Sequence, residues 1–110
     1  MYNARNYFKS AQSKPLNSNG RPNAQAIDEY TKAIKKCGKI IATDKKGKRV
    51  EEAYYLMAKS LYYKGNSAFQ AKDQFQNLVI RFPDSKYVPE AYIYIAKILR
   101  ETNQPKEAEK

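Results

Sequence analysis

The chain has 110 residues, 42% of them hydrophobic, and 21 Lys and Arg against 11 Asp and Glu give it a formal charge of +10. This length allows one domain with a single elongated core, and the apolar content argues against disorder. Apolar runs of a few residues leave no segment able to span a bilayer or to serve as the apolar core of a secretory signal. Histidine is absent and Cys37 is the only cysteine, which removes the commonest general base and metal ligand and excludes an internal disulfide. No catalytic constellation, metal site or cofactor is expected. The surplus of positive charge favours anionic partners such as nucleic acid, acidic proteins or lipid headgroups.

In chain order, Ala4, Tyr7, Phe8 and Ala11 fall on one face of an amphipathic helix over 2–13. Pro15, Asn17, Ser18, Asn19, Gly20 and Pro22 form a breaker cluster, and Asn23 is placed to cap the next helix. Over 24–41 the residues Ala26, Tyr30, Ala33, Cys37 and Ile40 or Ile41 again step by three and four, so a second helix is predicted. Cys37, on that stripe, reads as a small buried hydrophobe. A basic connection containing Gly47 separates it from a third helix over 50–64, with Glu51 and Glu52 in the first turn, where the helix dipole favours negative charge. Its buried stripe is Tyr54, Met57, Ala58 and Leu61. Gly65 and Asn66 end it. A fourth helix over 67–82 uses Ala71, Phe75, Leu78, Val79 and Phe82, and stops where Pro83 pushes Phe82 out of helical geometry. A fifth is expected over 87–102, with Pro89 tolerated in its first turn. Asn103 and Gln104 are expected to break it, and 105–110 reads as the first turn of another helix, so the natural protein is expected to continue past Lys110.

The third helix is written again in the fifth. Val50, Glu52, Ala53, Tyr54, Met57, Ala58, Lys59 and Leu61 correspond to Val88, Glu90, Ala91, Tyr92, Ile95, Ala96, Lys97 and Leu99, each 38 positions on. In the second and fourth helices Ala26, Tyr30, Ala33 and Ile34 correspond to Ala71, Phe75, Leu78 and Val79 at an offset of 45. Fixed periods of this length mark a solenoid, whose units bury their apolar faces by stacking on neighbours. The pattern resembles the tetratricopeptide repeat, in which the first helix of a hairpin carries an aromatic, Leu-Gly and Tyr, and the second carries Ala, Phe or Tyr, and Ala, followed by Pro. Tyr54, Met57, Ala58 and Leu61 take the first set in the middle unit, and Tyr92, Ile95, Ala96 and Leu99 take it in the last. Ala71, Phe75, Leu78 and Pro83 take the second set. The sequence departs from the family in having alanine where glycine is usual, in its longer spacing, and in its poorly matching first helix. The resemblance implies an all-α, right-handed solenoid of antiparallel hairpins, about 2.5 repeats long, with hairpins at 1–41 and 50–82 and an incomplete one at 87–110. The small residues Ala58, Ala71 and Ala96 are expected where helices approach closely.

The resemblance also implies a concave groove that holds a peptide or a helix of a partner protein. Carried across, its lining is Glu52, Tyr55, Lys59, Tyr62 and Tyr63 in the middle unit and Glu90, Ile93, Lys97, Arg100 and Glu101 in the last. Tyrosine beside lysine supplies flat apolar area, a hydroxyl and a charge, a combination suited to interface hot spots. The same tyrosines could instead pack on the adjacent hairpin. A second candidate surface is the basic cluster of Lys32, Lys35, Lys36, Lys39, Lys45, Lys46, Lys48 and Arg49, which would suit phosphate or an acidic partner. No aromatic residues interleave with it to stack bases, and KKGKR lacks the glycine spacing of a phosphate loop. A solvated helix face and loop is therefore the favoured reading of the cluster. The YYKGN turn and the FPDSKYVPEAY junction resemble bacterial cell-envelope tetratricopeptide lipoproteins, including the one in the outer-membrane β-barrel assembly machinery. That likeness implies a periplasmic location with a lipid anchor upstream of Met1; a cytoplasmic location is the alternative.

Overall fold

Apolar residues recurring every three or four positions give each segment one side that water disfavours, and that side must be covered by a neighbouring helix. A computed structural model describes residues 2–109 apart from 19, 45, 46 and 66, with the backbone alone at 2, 48 and 103–109. Its elements are five helices: α1 (Tyr2–Ser13), α2 (Ala24–Thr43), α3 (Lys48–Lys64), α4 (Ala68–Arg81) and α5 (Val88–Glu109). Each packs on the next along the chain, and α1 also touches α3. The result is a stack of helical hairpins, α1 with α2 and α3 with α4, followed by α5, in a slab of 42 × 33 × 19 Å. Such a stack is the all-α hairpin solenoid that the repeats predict.

Local chemistry sets the helix ends. The side-chain oxygen of Asn23 accepts the Ala26 N–H at 2.8 Å and caps α2, satisfying one of the donors a helix start leaves open. Gly65 ends α3 with φ +93°, a backbone conformation that a side chain would strain. Phe82 leaves the helical region (φ −133°, ψ 66°) just before Pro83, because the proline ring crowds a helical predecessor. Ser85 then starts α5: its hydroxyl accepts the Tyr87 N–H at 3.2 Å and its carbonyl accepts the Val88 N–H at 3.1 Å.

The core falls into three clusters. Ala11, Ala26 and Tyr30 join α1 to α2. Ala4, Cys37, Ile40, Ala53 and Leu56 join α1, α2 and α3. The largest part, including Tyr54, Ala58, Leu61, Ala71, Phe75, Leu78, Ala91, Tyr94 and Ile98, joins α3, α4 and α5. Phe75, Leu78 and Ile98 are wholly buried, each contributing about 1.5–3 kcal/mol relative to exposure.

Several sequence expectations are corrected. The third helix begins at Lys48, so Lys48 and Arg49 belong to its first turn and not to the connection. The fifth helix does not break at Asn103 and Gln104 but continues to Glu109, so the residues expected to start another helix prolong this one. Glu, Ala, Lys and Gln are good helix formers, and the Thr102 hydroxyl donates to the Ile98 carbonyl at 2.7 Å within the same helix. The stripe expected to be buried in the last unit is largely open: Tyr92 is 56% exposed, Leu99 is 42% exposed and Ala96 is exposed. The side of α5 that packs on α4 is Ala91, Tyr94 and Ile98. The sequence reading named only the first of these two stripes, because it carried the buried positions of the third helix across by repeat offset, and an offset does not say which side has a neighbour.

Candidate partner-binding face

The three helices α1, α3 and α5 lie along one side of the stack, and side chains from all of them meet there. Arg5 of α1 reaches Glu52 of α3 with a fork of two hydrogen bonds, both 2.6 Å, the geometry in which a guanidinium matches a carboxylate best. These bonds hold the Glu52 carboxyl below the usual carboxylate range, against the opposing effect of partial burial. Beside them a cleft of about 590 Å³ is bordered by Arg5, Arg49, Glu51, Asp84 and Lys86. Both acids and bases border it.

Further along α3, the polar groups of the predicted groove residues bind one another. The Tyr55 hydroxyl donates to Glu90 at 2.6 Å, and the Tyr55 ring stacks on Tyr87 with centroids 4.3 Å apart. Lys59 donates to the Tyr55 hydroxyl at 3.1 Å and stands 3.7 Å from Glu90. Its ammonium also lies 5.1 Å from the Phe8 centroid and 4.9 Å from that of Tyr55, so two electron-rich rings and a carboxylate share one cation. Its side chain is 18% exposed. Tyr62 donates to Glu101, whose two oxygens are both 3.0 Å away. Tyr63 and Tyr94 share a hydrogen bond of 2.7 Å between their hydroxyls. Burial first, and then the neighbouring carboxylate, pushes the Tyr62 hydroxyl up to about 12 and raises Tyr55 also.

These contacts form a seam between α3 and α5, the packing use of the tyrosines that the sequence left open. The outer part of the same face is accessible. Ile93 is 59% exposed, Arg100 is exposed, and Lys97 is half-buried over the rings of Tyr62 and Tyr94 at 5.7 and 5.4 Å. The face therefore combines a rigid floor of hydrogen-bonded aromatics with a rim of cationic and apolar groups. Glu90 and Glu101 supply the acids. The sequence reading omitted Phe8, Tyr87 and Tyr94 from this site. Phe8 was legible only as part of the α1 stripe, and Tyr94 has a leucine, Leu56, as its repeat counterpart, so repetition gave no sign of its hydroxyl.

Lys32, Lys35, Lys36 and Lys39 share one side of α2, where Lys32 pairs with Asp28 at 3.2 Å. Arg49 pairs with Asp44 at 3.4 Å. Lys45 and Lys46 lie outside the described residues, as does the side chain of Lys48. Cys37 is wholly buried, and burial pushes its thiol up to about 12. Among the described residues no group of three or more His, Cys, Asp or Glu could hold a metal ion, and no helix is long and apolar enough to cross a membrane.

Compared with known proteins, residues 52–85 match the family model described as a tetratricopeptide repeat. The match covers most of α3, all of α4 and the turn after it. No curated protein and no solved structure matches the chain.

Proposed function

We propose that this chain is a non-enzymatic scaffold that holds a segment of a partner protein against the face formed by α1, α3 and α5. Tetratricopeptide repeats generally mediate protein–protein interaction, and the match at residues 52–85 supports that use here. The observation that carries the reading is the pairing of a fixed aromatic floor with an open rim. Tyr55, Tyr62 and Tyr63 are held by hydrogen bonds within the chain, so they lose little conformational freedom on binding. Ile93, Lys97 and Arg100 stand at the edge with apolar area and positive charge available, which fits an extended segment carrying acidic and apolar side chains. The reading includes a bacterial cell-envelope setting on the periplasmic side. The YYKGN turn and the FPDSKYVPEAY junction support that setting by resemblance.

The test uses the exposed rim and not the tyrosines, because replacing the tyrosines would also open the α3–α5 seam. Ile93→Glu combined with Arg100→Glu is expected to leave the helical circular dichroism unchanged and to abolish co-purification of the partner identified with the wild-type chain. Equal recovery of that partner by the double variant would overturn the assignment.

A further inference from the structure

The second helices of the two hairpins, α2 and α4, line the other side of the stack from α1, α3 and α5. Their C-terminal ends meet where Ile41 and Ala42 border one recess with Arg81 and Phe82. In α2 the inward residues are Ala26, Tyr30, Ala33, Cys37 and Ile40. Half a turn away, pointing out of the molecule, stand Lys35 and Lys39, both exposed, with Lys32 and Lys36 on the flank towards α1. Lys32 lies 5.6 Å from the centre of the Tyr7 ring and is paired with Asp28. Lys35, Lys36 and Lys39 have no acidic partner among the described residues.

Helix α4 continues this outer side with apolar groups. Ile80 is the counterpart of Lys35 at the offset of 45, and it is 75% exposed, more than any other large apolar side chain among the described residues. Phe69 stands three turns earlier on the same side and is 58% exposed. Neither is open for want of a following unit. Their counterparts in α2, Lys35 and Ala24, are exposed as well, although a complete hairpin follows α2. That hairpin packs on the flank of α2 that carries Ile34 and Ile41 and leaves the outer side in water. One exposed apolar residue is ordinary; two on one side of a helix, next to unpaired lysines, are not. The acids do not cancel the charge at this end. Asp44 is paired with Arg49, Asp84 borders the cleft with Arg5 and Lys86, and Asp73 lies a turn from Phe69, away from the lysines.

We propose that the outer side of α2 and α4 lies on an anionic lipid surface, with Lys35, Lys39 and Arg81 among the phosphate headgroups and Ile80 inserted just beneath them. No helix among the described residues can cross a membrane, so the contact is interfacial. Each cation near an anionic leaflet raises partitioning about fivefold, and an inserted apolar side chain adds to it. Ile80 decides between lipid and nucleic acid. Both offer phosphates to the lysines, but an aliphatic side chain has no ring to stack on a base and finds an apolar medium below the headgroups. The face of α1, α3 and α5 then points away from the lipid, so this contact stands independently of the partner-binding reading.

The test is co-sedimentation of the full chain with vesicles of phosphatidylcholine alone, or with phosphatidylglycerol as a third of the lipid. Binding to the anionic vesicles is expected, with none to the neutral ones and a steep loss as salt is raised. Lys35→Gln combined with Lys39→Gln is expected to weaken it about twentyfold, and Ile80→Ser about fivefold or more, both with unchanged helical circular dichroism. Leu16→Ser, at an apolar site 65% exposed before the start of α2, is expected to change nothing. Failure to bind anionic vesicles, or wild-type binding by Ile80→Ser, would overturn the proposal. So would tighter binding to a single-stranded oligonucleotide than to the vesicles, because the lysines would then serve a nucleic acid.

Discussion

Ser60 sits fully buried on α3, and its hydroxyl has no hydrogen-bond partner among the described residues. Its repeat counterpart, 38 positions on, is Ile98, also fully buried. A buried hydroxyl that gives up its water without gaining a partner is a net cost. Ser60→Ala is therefore expected to raise stability by about 1 kcal/mol, measured as an upward shift of the thermal or urea midpoint. A loss of similar size would mean that the hydroxyl is bonded after all. The sequence could not have marked this residue: serine on a helix reads as exposed or as a cap, and only the wholly buried position reveals the missing partner. Tyr55 and Tyr62 teach the same lesson from the other side. Their spacing correctly put them on one face, but whether a hydroxyl is free depends on Glu90 and Glu101, 35 and 39 positions away.

Among elements, α1 is tied to α3 through the fork between Arg5 and Glu52, and that tie depends on pH. Arg5 depresses the Glu52 carboxyl in the folded state, so the stability it adds is fully present above the ordinary carboxylate value of about 4.3 and is lost as pH falls through the depressed one. Arg5→Gln is expected to lower the melting temperature at neutral pH, and the gap to the wild type is expected to close as the solution is acidified below that range. A gap independent of pH would assign the effect to packing of the arginine stem. Tyr62 behaves oppositely. Its value is raised to about 12, so its contribution is complete below the ordinary tyrosine value of about 10 and is lost as pH climbs towards 12. Helices were the most legible level in the sequence, because Asn23, Gly65, Pro83 and Ser85 act through local chemistry that can be read from residue type. The end of α5 was misread because the helix runs on through Asn103, Gln104 and Pro105, although proline is the poorest helix former.

For the molecule as a whole, the chain of neighbour contacts from α1 to α5 makes stability a property of position in the stack. Helices α2, α3 and α4 each have packed neighbours on both sides, whereas α5 has its main packing on α4 alone. Native-state hydrogen exchange is expected to be slowest in α3 and α4 and faster in α5, in order of the cover each receives. Uniform protection across all helices would show instead that the stack opens only as one unit. This scale was also written in the sequence, since two offsets sufficed to predict stacked hairpins. It was also where the reading stopped short, because a repeat says which residues are equivalent and not which of them has a neighbour.

The seam between α3 and α5 has an optical consequence. The chain contains ten tyrosines and no tryptophan, so its intrinsic emission comes from tyrosine alone. Tyr55 and Tyr62 donate their hydroxyls to carboxylates, Tyr63 is bonded to Tyr94, and Tyr87 is stacked on Tyr55. A phenol bonded to a carboxylate loses its excited state by passing its proton to the acceptor, which darkens it. Anything that draws Glu90 or Glu101 away from its tyrosine is therefore expected to brighten the protein, and Glu90→Gln should do so without a partner present. The unlabelled molecule carries its own gauge of whether α3 and α5 remain in register.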